Sequence, residues 1–127
     1  METKRQKQVA ELVKRNFGIL LQQEGGYIYG NDVLVTVTSV NMSPDMSIAK
    51  IYLSIYNTEN KQAVILQMEE NYYQLKQGFA NRVKRHMRRI PELKFYVDDT
   101  LDEMYRLNAL FDRLEAENQL GNREEEE

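Results

Sequence analysis

At 127 residues the chain has the length of one domain, and with no Cys it uses no disulfide or thiolate chemistry, which fits a reducing compartment. Hydrophobic residues make up 42% and charged residues 29%, ordinary for a soluble globular protein, and no apolar run approaches the ~20 residues that a bilayer span requires. The formal net charge of −3 conceals a segregation: residues 1–75 balance at −1, residues 76–94 at +6 and residues 95–127 at −8, so the middle stretch is strongly attractive to a polyanion.

The start, METKRQKQ, is charged and lacks an apolar signal core, which reads as cytoplasmic. Val9, Leu12, Val13, Phe17, Leu20 and Leu21 then recur at three and four, which predicts a helix from Thr3 to about Glu24. Its polar side carries Lys4, Arg5, Lys7, Lys14 and Arg15. Gly25-Gly26 is expected to end it in a left-handed cap, and residues 27–32 read as a linker. Residues 33–40, VLVTVTSV, are β-branched and alternating, and predict a strand. Ser43-Pro44-Asp45-Met46 is a turn signal, with Asp45 a turn residue rather than an acid catalyst, and Ile48–Tyr56 predicts the second strand of a hairpin.

From about Glu59 to Ile90 one helical phase persists through Ile65, Met68, Tyr72, Leu75, Phe79, Val83, Met87 and Ile90. Gly78 interrupts it. An interior Gly costs about 1 kcal/mol against Ala, so either the helix bends there or another helix packs close to the backbone. A kink at Gly78 and Ala80 is the expectation carried forward. Beyond it stands RVKRHMRR, residues 82–89, in which six of eight side chains are Arg, Lys or His. On a helix ended by Pro91, Arg82, Arg85 and Arg89 form an outer stripe with Lys84 and Arg88 beside it, a cationic face suited to RNA phosphates. Leu93–Val97 predicts a third strand. Asp98-Asp99-Thr100 then opens a last helix, with Thr100 and Glu103 as a capping box, and Gly121 closes it ahead of an acidic end. The order is α-β-β-α-(kink)-α-β with an added C-terminal helix. It is an α+β domain over residues 1–119, with helices on one sheet face and residues 120–127 as a disordered acidic tail.

Catalytic and cofactor chemistry find no foothold. His86 is the only histidine, so there is no histidine metal cluster, and it has no obvious partner for a Ser-His-Asp arrangement. Asp98, Asp99, Asp102 and Glu103 are accounted for by helix capping, and no glycine-rich phosphate loop is present. Tyr27, Tyr29, Tyr72 and Tyr73 could stack bases, with half-buried core packing the reading preferred for them. No metal, cofactor or small-molecule substrate is expected, and no enzyme activity.

Three motifs carry a family resemblance. Residues 37–54 (VTSVNMSPDMSIAKIYLS), Arg89-Ile90-Pro91-Glu92-Leu93-Lys94-Phe95 and Asp98-Asp99-Thr100-Leu101 together are similar to the signatures of ribosome-binding factor A. The resemblance implies a type II KH-like domain, a mixed three-stranded sheet backed by helices. In place of the GxxG loop by which ordinary KH domains clamp single strands it implies a helix–kink–helix. It further implies a cytoplasmic role as a monomer that binds the small ribosomal subunit and its rRNA. That role assists late maturation, including formation or processing of the rRNA 5′ region, often with a link to growth in the cold. The competing reading is a protein-interaction adaptor whose basic helix face meets an acidic partner.

Overall fold

Thr3 opens the first helix, α1 (Lys4–Glu24), with a reciprocal capping box: its hydroxyl accepts from the Gln6 N–H, and its own N–H donates to Gln6 Oε1 at 2.8 Å. In this computed structural model residues 2–100, together with 110, 113 and 114, are described. The expected course of the C-terminal helix and the tail at 120–127 falls outside the described residues, save the three isolated positions.

The hairpin forms where alternation demanded it. β1 (Leu34–Met42) pairs antiparallel with β2 (Ile48–Tyr56), from Leu34 opposite Tyr56 to Met42 opposite Ala49. A bulge between Val37 and Ser39 leaves Thr38 as the extra residue. β3 (Glu92–Val97) adds on the other side of β2 and runs parallel to it, from Ile48 beside Glu92 to Leu53 beside Val97. The strand order is β1-β2-β3, a mixed sheet. Val35, Val37, Val40, Met42, Ala49, Ile51, Leu53, Ile55, Leu93 and Phe95 point to one face and are buried. That face receives Val13, Phe17, Leu20 and Leu21 of α1, and Phe17 stacks on Phe95 with centroids 5.6 Å apart.

Two helices replace the long bent one. α3 (Lys61–Glu70) and α4 (Tyr72–Val83) meet at Asn71, and the short helix α2 (Gly26–Tyr29) precedes β1. The break therefore lies at Asn71, seven residues before the expected kink at Gly78 and Ala80, which both sit inside α4. Asn71 adopts φ −106° and ψ 25°, and its Nδ2 donates to the Gln67 carbonyl at 2.8 Å. An asparagine side chain that bonds the backbone of the preceding turn offers an alternative to the helical ladder. Since a single residue leaves the helix, the apolar phase survives, and Ile65, Met68, Leu75, Phe79 and Val83 are all buried. Gly78 has the other explanation: a Cβ there would stand 2.9 Å from Leu20 Cδ1, so the residue lets α4 approach α1 closely.

Two further expectations change. Gly25 is right-handed at φ −58°, and the chain turns straight into α2; the left-handed glycine is Gly30 at φ 91°. Gly25 is required for space, because a Cβ would collide with Tyr29 Oη and the Leu21 carbonyl. More consequentially, helix α4 ends at Val83, so residues 84–90 are not helical. A continued helix would set Arg82 against Arg85, Arg85 against Arg88 and Arg89, and Lys84 against Arg88 at three- and four-residue spacing. Each such like-charge pair costs about 0.2–0.5 kcal/mol. Pro91 also disfavours the helical conformation at Ile90. The chain instead turns, with the His86 and Met87 N–H groups both donating to the Val83 carbonyl.

Candidate nucleic-acid interface

With its helix gone, the basic run is held by its apolar residues. Met87 and Ile90 are half-buried against the core and pin the segment between them to the molecule. At its far end the Glu92 N–H donates to the Ser47 carbonyl at 2.8 Å, which ties the exit of the basic segment to the β1–β2 loop. On the opposite wall, buried Gln6 donates from Nε2 to the Met42 carbonyl at 3.2 Å and so fixes the start of α1 to the end of β1. Three segments remote in sequence therefore converge.

The result is a groove of about 680 Å³ lined by Thr3, Arg5 and Val9 of α1, Pro44, Asp45 and Met46 of the loop, and His86, Met87, Arg88 and Arg89. The loop between the strands is rigid. Asp45 Oδ1 accepts from the Ser43 hydroxyl at 2.7 Å, the Ser47 hydroxyl at 2.7 Å and the Ser47 N–H at 3.1 Å. Those bonds, the two hydroxyls first, push its carboxyl down to about 2, so it is ionised at neutral pH and its charge is directed into its own loop. Met46 takes a positive φ of 64°, a conformation that costs a bulky residue of order 1–2 kcal/mol. It is held there by its N–H to the Ser43 carbonyl and by partial burial against the core.

Arg5, Arg88 and Arg89 make no ion pair among the described residues, where Lys61–Asp99 is the salt bridge present. A guanidinium offers a planar fork of donors that matches phosphate oxygens, and three free ones around a groove form an anion-binding wall.

The other expected cations lie elsewhere. Lys4 and Lys7 are exposed along α1. Lys14 and Arg15 line a second cleft of about 270 Å³, between α1 and residues 34–37 of β1. Lys84 and Arg85 are exposed in the turn after α4. Arg82 is half-buried, reaches Gln23 Oε1 at 3.4 Å, and keeps a buried Nε without a hydrogen-bond partner, so it braces α4 against α1 rather than extending the groove. The stripe of Arg82, Arg85 and Arg89 thus does not exist as a helical face. Sequence reasoning put Arg5, Arg88 and Arg89 among the cations. It missed that the Ser-Pro-Asp-Met turn forms the opposing wall, for which no periodic signal exists.

The sequence profile of ribosome-binding factor A matches residues 5–111. The chain belongs to the ribosome-binding factor A family. A ribosome-binding factor A from Cytophaga hutchinsonii is 37% identical over 102 residues, covering 80% of this chain and 76% of that one. One from Flavobacterium psychrophilum is 30% identical over 125 residues, covering 98% and 94%. The fold is that of the crystal structure of ribosome-binding factor A from Thermus thermophilus, with a TM-score of 0.60 at 24% identity over 72% of this chain and 94% of that one. A Thermus thermophilus homology model of the factor, fitted into a cryo-electron-microscopy map of its complex with 30S, matches with a TM-score of 0.56 at 26% identity, over 70% of this chain and 90% of that one. As in that family, the sheet is mixed, three-stranded and backed by helices.

Asp98 and Asp99, assigned above to helix capping, are occupied locally. Asp98 accepts from the Thr38 hydroxyl at 2.6 Å and the Thr100 N–H at 3.0 Å, and Asp99 pairs with Lys61 at 3.2 Å. Asp102 and Glu103 lie outside the described residues. Among the described residues no group of three or more acidic or histidine side chains is arranged as metal ligands, and no helix is long and apolar enough to cross a membrane.

Proposed function

We propose that this chain binds the small ribosomal subunit by gripping rRNA phosphates in the groove of Arg5, Arg88 and Arg89, and assists late maturation of that subunit without catalysis. The observation that carries the reading is the convergence of three arginines, none ion-paired among the described residues, on one groove of about 680 Å³. The 30S complex of the Thermus thermophilus relative supports the choice of partner. Residues 1–119 act as a single RNA-binding domain, monomeric and without cofactor, and the maturation step is formation or processing of the rRNA 5′ region. Lys4, Lys7, Lys84 and Arg85 extend the field around the groove.

Gradient sedimentation of extracts containing the tagged chain tests this reading. The wild type co-migrates with free small subunits, and Arg88→Gln/Arg89→Gln reduces that association. In log–log form the salt dependence of binding loses about 1.4–1.8 units of slope, at about 0.7–0.9 per phosphate contact. Unchanged salt dependence in the double variant would refute the groove as the contact.

A further inference from the structure

The helices cover one side of the sheet; the other side is built in rows across the strands. Asn41, Lys50 and Lys94 form the first row, Ser39, Tyr52 and Tyr96 the second, Thr36 and Ser54 the third, Leu34 and Tyr56 the last. These positions are exposed or half-exposed, with Leu34 at 61%, Tyr56 at 64% and Tyr96 at 40%. Nothing in the groove reading uses them.

Two features of this face are unexplained by the fold. Lys50 and Lys94 are register partners on adjacent strands, so like charges stand side by side at a strand spacing of about 4.8 Å. Neither has an ion-pair or hydrogen-bond partner among the described residues. In the next row Tyr52 and Tyr96 are stacked, with centroids 5.4 Å apart and planes 26° apart. Because β3 is the edge strand, the face of Tyr96 turned away from Tyr52 looks over the free edge of the sheet. A cleft of about 250 Å³ lies there, lined by Glu69, Tyr72, Leu93, Lys94, Phe95 and Tyr96.

We propose that the sheet face which no described helix covers is a second RNA-contact surface, on which an unpaired nucleobase extends the Tyr52–Tyr96 stack at the β3 edge while Lys50 and Lys94 hold the adjoining phosphates. This rests on the RNA-binding reading above and adds to it a preference for single-stranded RNA. The ring stack supplies sequence-tolerant affinity, since every base has a π face. The lysine pair explains the charge complementarity: two adjacent cations with no counter-charge among the described residues match a polyanion and repel a second copy of the same face. Sheets that carry exposed aromatics bind single-stranded RNA by this chemistry in other folds.

Fluorescence anisotropy with two probes tests it: a short labelled oligouridine, and an abasic oligomer of the same backbone. Tyr96→Ala weakens oligouridine binding by roughly 5- to 150-fold, the range of one lost base–ring stack, and leaves the abasic probe unaffected. Tyr96→Phe, which keeps the ring, retains binding. Lys50→Gln/Lys94→Gln weakens both probes alike. Circular dichroism of each variant checks that the fold is kept. Unchanged oligouridine affinity in Tyr96→Ala overturns the proposal. If Arg88→Gln/Arg89→Gln weakens oligouridine binding at the same time, the groove reading stands without the sheet surface. If the wild type binds neither probe, both readings fall. If Tyr96→Ala loses subunit association, or dissociates a dimer, with oligouridine affinity unchanged, the face belongs to a ribosomal protein or to a second copy, and the proposal is again overturned.

Discussion

Two glycines inside helices give a sharp test of how α1 and α4 meet. Gly18 lies in α1 and Gly78 in α4, and each costs its helix about 0.5–1 kcal/mol relative to Ala. A Cβ at Gly18 would find nothing within 4 Å. Gly18→Ala is therefore expected to stabilise the protein by about 0.5–1 kcal/mol. A Cβ at Gly78 would stand 2.9 Å from Leu20 Cδ1 and 3.3 Å from Glu24 Oε2. Leu20 is only 2% exposed and is packed on all sides, so its methyl cannot swing away. Overpacking of this kind costs about 1–3 kcal/mol. Set against the helix-propensity gain, Gly78→Ala loses about 1 kcal/mol net. The two variants thus differ by about 1–3 kcal/mol, all of it the helix–helix contact. Urea denaturation followed by circular dichroism measures this directly; at an m-value of about 1–3 kcal/mol per molar the midpoints separate by roughly 1 M, with slopes unchanged. Equal upward shifts in both variants would show that α4 does not approach α1 as described.

Other substitutions probe the supports of the groove. Gln6→Ala removes the capping box of α1 and the bond to the Met42 carbonyl, and is expected to cost about 1–3 kcal/mol in thermal or urea unfolding. Tyr72→Phe strips the hydroxyl that accepts the Leu93 N–H at 3.0 Å, and is expected to cost about 1 kcal/mol and to speed hydrogen exchange at Leu93. Asp45 and Asp98 both have carboxyls held below the ordinary value of 3.8, Asp45 at about 2. A group with a lowered folded pKa adds stability above its unfolded value and loses it as the pH falls through the folded one. Stability should therefore drop between about pH 4 and pH 2, and Asp45→Asn should flatten that drop while lowering stability at pH 7.

Where physics is local, the sequence disclosed the fold. Ile48–Tyr56 alternates without interruption, and β2 has those bounds. The capping residue Thr3 and the periodicity behind it mark α1. The long helical phase from Ile65 to Val83 predicted which residues would be buried, since a one-residue break at Asn71 preserves it. The same preservation hid the break. Beyond Val83 the pattern misled: Met87 and Ile90 do touch the core, as a helix would have had them do, but they reach it from a turn. Periodicity reports which residues need burial, and only with charge repulsion and Pro91 does it report the backbone that achieves it. The groove itself was half legible. The cations were countable, whereas the wall made by Pro44, Asp45 and Met46 depends on the Gln6–Met42 and Ser47–Glu92 bonds, which join segments that no local signal connects.

The parallel pairing of β3 with β2 has a consequence for the order in which the molecule becomes competent. β1 and β2 are neighbours in sequence and can zip from their shared turn. β3 pairs with Ile48 across the intervening α3 and α4, and pairings so distant in sequence are intrinsically slow to form. The arginines at 88 and 89 lie just ahead of that strand and meet the Pro44–Met46 wall only once it docks. Without the docked β3, the chain has the arginines of the groove but not the groove itself. The convergence of Arg5, Arg88 and Arg89 on the Pro44–Met46 loop is therefore a property of the completed sheet, not of any single stretch of the sequence.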